Sequence, residues 1–437
     1  MNGRVSIALG FLGLIIVGAG LLIMPWARSA GTYGDLSTAL FTACSAVCVT
    51  GLTVVDVGAE YSRAGQIVLL TLVEIGCLGL MTCGTFLLIA IGRRLSLVRE
   101  FSLMNAYGVA QVKGLKGLIC WVVGSMLVIE ALGAVILYFH FHDVYKSIFF
   151  SLMGFCNAGF SLYSDSLAQF ADEPYVILTL ALETILGGIG FLVIYNLCTF
   201  RFSRRVSGAR GRLTLHTRVV LRLPAILLVL TFAVFLALEW NGTMASFSWT
   251  KKLWVAFYQA VTPRTCGFCV IPTEDLHPLT RYIYETLMCI GGAPGSAAAG
   301  MKVTTLAVLV YTLTAMCRGE RETVISSRVI PYDVVRESII IVIAIVLFIE
   351  LVTSALYLTE AGGPIARDAL HFEAVSAITT TGLSVGETTS HLSFAGRIVI
   401  MIAMFIGRLG ALSVVMMIGD RESTKHLRYP TEELVVG

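Results

Sequence analysis

Charge is what this chain has least of. Only 14% of its 437 residues are Asp, Glu, Lys or Arg, while 57% are hydrophobic, and the mean hydropathy is +0.84. Soluble domains carry about a quarter charged residues, so the scarcity excludes an ordinary soluble globule and points to a polytopic membrane protein. A net charge of +3 is too small to imply a nucleic-acid partner. Histidine is sparse too: the seven present are dispersed, and no Ser/His/Asp set or phosphate-cradling glycine loop occurs at useful spacing. Covalent catalysis therefore has no machinery, and no enzyme is expected. The eleven cysteines follow no zinc-ligand pattern and lie mostly inside apolar segments, as small core residues of a reduced protein. Cys266-Gly-Phe-Cys269 imitates a redox C-x-x-C motif, but without the strand-to-helix context such chemistry uses.

What the chain does have is one pattern written four times. Gly51, Gly159, Gly267 and Gly382 stand 108, 108 and 115 residues apart, and ten residues before each is a phenylalanine: Phe41, Phe149, Phe257 and Phe372. Each glycine is followed by Leu or Phe and then a small residue. Self-similarity at a near-constant period marks a repeat architecture.

Apolar runs place these anchors in a common frame. Val5 to Met24, stopped by Pro25-Trp26, is long enough for a span and longer than a signal-peptide core, so a retained helix is expected. Leu36 to Cys48 is too short to cross and reads as a re-entrant half-helix; Ala64 to Ile91 is a second span. The same order recurs as Leu118–Phe139, Tyr145–Cys156 and Tyr175–Phe200, then as Val219–Leu238, Trp249–Arg264 and Tyr282–Cys317. It ends with Val334–Leu358, Arg367–Thr379 and Phe394–Ile418. The expected fold is an all-α polytopic membrane protein of four span–pore-loop–span repeats, with eight transmembrane helices and four half-helices around one central pore. Its units are 1–92, 93–200, 201–317 and 318–420, with a tail over 421–437.

The charges that exist are sorted. Links between units hold Arg93, Arg94, Arg204, Arg205, Arg210, Arg318 and Arg321, whereas links on the half-helix side hold Asp56, Glu60, Asp165, Glu274, Glu360 and Glu387. The positive-inside rule then predicts cytoplasmic termini and anchors that open outward. An acidic outer face also concentrates cations at a pore mouth.

A cation leaving water needs oxygens in place of its hydration shell, and extended backbone supplies carbonyls for that purpose. Glycine allows the needed φ and lets four strands approach one axis. The predicted filter segments are Val49-Thr50-Gly51, Asn157-Ala158-Gly159, Thr265-Cys266-Gly267 and Thr380-Thr381-Gly382. Each preceding half-helix aims its partly negative C-terminal end at the axis.

With these four segments the chain resembles the Ktr/Trk/HKT superfamily of potassium transporters, over essentially its whole length, and most closely the Ktr-type membrane subunit. The absence of the Trk branch's additional N-terminal spans and the tail Tyr429–Gly437 favour that branch. The resemblance implies a potassium uptake pore in a bacterial plasma membrane. It also implies a homodimer embedded in lipid and seated on a cytosolic ring of RCK-type subunits, which carry the nucleotide (ATP/ADP or NAD). Glycine at all four anchors is similar to the potassium-selective members, since sodium-passing ones tend to have serine where Gly51 stands.

Below the filter, Gly291-Gly292-Ala-Pro-Gly295-Ser296-Ala-Ala-Ala-Gly300-Met-Lys302 interrupts the last span of the third unit. Pro294 and its glycines predict a break there, and Ala297–Ala299 predict some helix within it. The stretch resembles the family's intramembrane gate loop. Lys302 and Arg408 are cations inside spans, functional by default, and they match family cations beneath the filter. Glu130, Glu239 and Glu350 recur about thirty residues before their anchors and are expected, with Arg264, to support filter backbone. The rival readings are a sodium-conducting or Na⁺-coupled relative of the same fold and, from another class, an alternating-access secondary transporter. The latter predicts inverted repeats, whereas these four run in parallel.

Overall fold

A computed structural model describes residues 3–79, 115–207, 213–410 and 414. The 93–114 and 208–212 parts of the basic links, the ends over 80–91 and most of 411–418 of two predicted second spans, and the 421–437 tail lie outside the described residues. The first unit contains α1 (Gly3–Ile23), α2 (Leu36–Cys48) and α3 (Arg63–Leu78). The second contains α4 (Leu115–Phe141), α5 (Val144–Cys156), α6 (Pro174–Ile189) and α7 (Phe191–Ser207). The third is α8 (Leu215–Glu239), α9 (Trp249–Val261), α10 (Pro278–Met288) and α11 (Val303–Cys317). After a two-residue hairpin pairing Val324 with Val329, the fourth is α12 (Tyr332–Thr359), α13 (Arg367–Thr379) and α14 (Phe394–Leu409).

The four short helices α2, α5, α9 and α13 begin and end for local reasons. Asp35, Asp143 and Ser248 cap the first three, each accepting from backbone N–H groups one turn in. Three end on a non-glycine residue in the left-handed region: Val49 at φ 55°, Asn157 at 57° and Thr380 at 50°. Such a conformation is unfavourable, above all for β-branched Val and Thr. It is held by a second bond per helix: Thr50 N to Ser45 O at 2.8 Å, Ala158 N to Met153 O at 3.0 Å and Thr381 N to Ser376 O at 2.9 Å. In the third unit the helix stops at Val261, before the predicted Arg264, and Thr265 takes the left-handed role at φ 66°.

Each second span packs against the short helix of the next unit: α3 on α5, α6 on α9, α10 on α13, and α14 back on α2. The fourth unit thus closes on the first. Among the described residues, four helices are long and apolar enough to cross a membrane alone, namely Val5–Ile23, Ile119–Phe141, Leu215–Glu239 and Tyr332–Thr359. These fall where the first spans of the four units are expected.

The second spans differ from expectation. They run 16, 16, 11 and 16 residues before breaking or reaching the limit of description. Tyr175–Phe200, expected to be continuous, is broken at Gly190, where α6 and the start of α7 meet at 91°. Gly79, Gly190 and Gly410 share one conformation, with φ between 78° and 90° and ψ between 133° and 140°. That conformation ends a helix and is open to glycine at little cost.

Candidate functional site

The glycines at the four anchors meet. A Cβ built on Gly51 would strike the carbonyl oxygen of Ala158; on Gly159, that of Cys266 at 3.0 Å; on Gly267, that of Thr381 at 2.8 Å; on Gly382, that of Thr50. Each anchor therefore abuts the residue just before the next anchor, and the order closes from the fourth segment onto the first. Their φ angles are +92°, +68°, +82° and +86°. Any side chain here would be strained by the backbone and blocked by a neighbouring carbonyl. Eight of the twelve predicted filter residues, the four glycines and the residue before each, meet in this ring, and Val49, Asn157, Thr265 and Thr380 lead into it in left-handed conformation.

The ring is held from behind by hydroxyls. Gly51 N donates to Ser45 Oγ and Gly382 N to Ser376 Oγ, both at 3.1 Å and both six residues back. The Thr262 hydroxyl donates to the Phe268 carbonyl, and Thr184 Oγ1 lies 3.2 Å from Cys266 Sγ. Three hydroxyls in the four segments, on Thr50, Thr265 and Thr380, are buried with no protein partner among the described residues. Buried polar atoms are normally paired, so unpartnered oxygens beside a ring of close carbonyls suit a site that offers oxygen to a cation. Above the ring is a vestibule of about 390 Å³, lined in part by Thr53, Asp56, Ser161, Tyr163, Ser384 and Glu387.

Glu373 was not singled out from the sequence. It is fully buried within α13; Oε2 accepts from Ser384 Oγ at 2.9 Å, and Oε1 accepts from the Thr389 hydroxyl. This carboxylate ties the strand leaving Gly382 to the short helix before it. The signal available was an acid in the middle of this half-helix, where the other three have none.

The four expected supports are used differently. Glu239 Oε1 accepts from His277 N at 2.9 Å and Thr280 Oγ1 at 2.6 Å, and Oε2 from Thr243. It thus fastens the end of α8 to the start of α10, not the filter backbone. Glu130 is buried halfway along α4, against Cys156 and Glu74. Glu350 is exposed on α12 and, among the described residues, makes no hydrogen bond to the ring; the helical phase of position 350 turns it outward. Arg264 reaches away from the axis to the Pro224 carbonyl at 3.4 Å. Sequence spacing cannot resolve which face of a helix such residues occupy.

Below the ring lies the 291–300 stretch. It contains no helix, contrary to the expectation from its alanines. Its backbone bonds go elsewhere: Ala293 N to Gly188 O at 2.9 Å, Ala297 N to Gly187 O at 3.2 Å, and Phe191 N back to Gly295 O at 3.0 Å. The loop is thereby docked into the break at Gly190. Lys302 Nζ donates to Ala298 O at 2.7 Å. Arg408 Nη1 donates to Ala297 O at 2.9 Å, while Nη2 reaches the Gly76 carbonyl and Cys77 O, the latter at 3.4 Å. Two cations from different units thus hold adjacent carbonyls of one loop.

Comparison with known proteins places this arrangement. A profile of TrkH, described as a cation transport protein, matches residues 20–426. The Ktr system potassium uptake protein B of Bacillus subtilis is 34% identical, over 99% of this chain and 96% of that protein. The potassium/sodium uptake protein NtpJ of Enterococcus hirae is 32% identical over the same shares. Among solved structures, the potassium transporter TrkH of Vibrio parahaemolyticus superimposes with a TM-score of 0.76, at 17% identity, covering 95% of this chain and 84% of that one.

Proposed function

The chain belongs to the TrkH family of cation transport proteins, and from that premise we propose that it is the pore-forming subunit of a potassium uptake system. The observation that carries the reading is the closed ring of Gly51, Gly159, Gly267 and Gly382, each against the carbonyl-bearing residue of its neighbour. A dehydrated K⁺ on the axis would trade its water for carbonyls of the four three-residue filter segments. The acidic residues Asp56 and Glu387 at the vestibule raise the local cation concentration. The 291–300 loop, latched by Lys302 and Arg408, lies across the path below and acts as the gate. Opening requires those latches to exchange their carbonyl acceptors for others.

The four repeats, each of two spans and a re-entrant half-helix, are the frame of this proposal. It places the protein in a bacterial plasma membrane with both termini inside, as the basic links Arg204, Arg205, Arg318 and Arg321 favour. The name of the Bacillus subtilis relative speaks of a system, in keeping with a homodimer on an RCK-type ring that supplies the nucleotide-dependent control. A second reading, transport of Na⁺ with or alongside K⁺, is favoured by the potassium/sodium name of the Enterococcus hirae relative.

The test is K⁺-limited growth of an uptake-deficient bacterium expressing the chain, with and without an RCK partner. Rescue by K⁺ that Na⁺ does not alter supports the first reading, and rescue that scales with Na⁺ supports the second. No rescue and no K⁺ flux in proteoliposomes would overturn both.

A further inference from the structure

Away from the axis, three helices bring together side chains that the transport path does not use. Glu74 of α3, Glu130 of α4 and Cys156 at the end of α5 present ligand atoms that all lie within 4.8 Å of one another. Cys156 Sγ is 3.8 Å from Glu74 Oε2 and 3.9 Å from Glu130 Oε1. The Cys77 thiol lies beside Cys156. Glu130 and Cys156 are buried and Glu74 half-buried, which marks the side of entry.

Two carboxylates at membrane depth are expensive unless paired. No salt bridge among the described residues reaches either of them. The nearby Arg408 is already committed to the carbonyls of Ala297, Gly76 and Cys77. A second, independent observation points the same way. Glu183, 3% exposed, flanks the group: its Oε1 and the Glu130 carbonyl, the latter at 2.7 Å, share the single proton of the Ser151 hydroxyl, while its Oε2 meets no donor among the described residues. The group thus gathers three carboxyl side chains with no Lys or Arg paired to them among the described residues, and one of their oxygens finds no donor there.

We propose that Glu74, Glu130 and Cys156, with Cys77 beside them, form a binding site for a zinc-class divalent cation that clamps the first unit to the second. A triangle with these sides has a centre roughly 2.2–2.5 Å from its corners, close to the ~2.0–2.3 Å of Zn–O and Zn–S bonds. The mixed oxygen and sulfur set selects against K⁺, Mg²⁺ and Ca²⁺, which take oxygen alone. Binding displaces the thiol proton and any proton the carboxyls share. The claim stands on the geometry of this group and is independent of the transport reading.

The experiment adds Cd²⁺, as a spectroscopic zinc probe, to the full-length protein in detergent and follows the thiolate-to-cadmium ultraviolet band together with the melting temperature. One equivalent per chain is expected to bind, to raise the melting temperature, and to be removed by a chelator. Cys156→Ser and Glu130→Gln should each weaken that equivalent at least tenfold. No stoichiometric band and no melting shift in the unmutated protein would overturn the site and leave a carboxyl pair sharing a proton. A band of undiminished strength in both variants would overturn it as well, by assigning the metal to other cysteines.

Discussion

A methyl group at Gly382 would point at the Thr50 carbonyl from a backbone held at φ +86°. The conformation alone costs a non-glycine residue about 1–2 kcal/mol, and the carbonyl must also turn out of the ring. Gly382→Ala is therefore expected to cut K⁺ uptake at least tenfold while the protein still inserts and purifies as a single species, as growth at limiting K⁺ and gel filtration would report. Unchanged uptake would remove the ring from the transport path. Glu373 makes a different residue-scale case. Glu373→Ala strands the Ser384 and Thr389 hydroxyls, at about 1–3 kcal/mol for each left unsatisfied. A lower melting temperature and loosened K⁺ selectivity should follow, with Glu373→Gln, which keeps an acceptor, losing less. The four glycines were legible in the sequence because a phenylalanine stands at the same distance before each. Glu373 was not, because its partners lie 11 and 16 residues away and nothing in the pattern connects them.

The elements divide along the same line. Leu36–Cys48 and Arg367–Thr379 match their predicted bounds because a short apolar run between polar turns has few other uses in a membrane protein. The 91° break at Gly190 escaped because hydropathy reports how apolar a run is and carries no information on its direction. The 291–300 loop was legible as a break but not as a docked one. Its alanines gave up helical bonds for bonds to Gly187 and Gly188, a tertiary override of propensity. Two outcomes are expected at this scale. A Cβ at Gly190 would lie 3.0 Å from the Pro294 carbonyl and 3.2 Å from the Ala293 Cβ, so Gly190→Ala should loosen the loop and raise partner-independent flux in proteoliposomes. Arg408→Ala and Lys302→Ala free adjacent carbonyls of that loop. Each should raise flux, and the double variant should gain less than the two effects combined, because both act on one latch. Strict additivity would mean that the two cations hold separate parts.

At the scale of the molecule, the fourfold glycine pattern was readable from the sequence, but the order in which its copies meet was not. That order comes from contacts between segments more than a hundred residues apart, ending with α14 against α2. The acidic lining of the vestibule, drawn from the first and fourth units, is a whole-molecule property too, and it acts through space. Asp56→Asn combined with Glu387→Gln should lower apparent K⁺ affinity in dilute buffer. The deficit should fade as ionic strength rises past ~0.1 M, where the screening length falls to about 10 Å. A deficit independent of salt would indicate direct coordination by those carboxylates.

The closing contact of the fourth segment with the first means that one polypeptide encircles the axis by itself. In an assembly of four identical subunits, a codon change is stamped on every quadrant at once. Here each quadrant has its own codons, so substitution can proceed in single steps. That freedom is already visible in the residue before each glycine, which is Thr50, Ala158, Cys266 and Thr381 in turn. Graded series of one, two, three or four altered quadrants can therefore be built in this chain without mixing subunits.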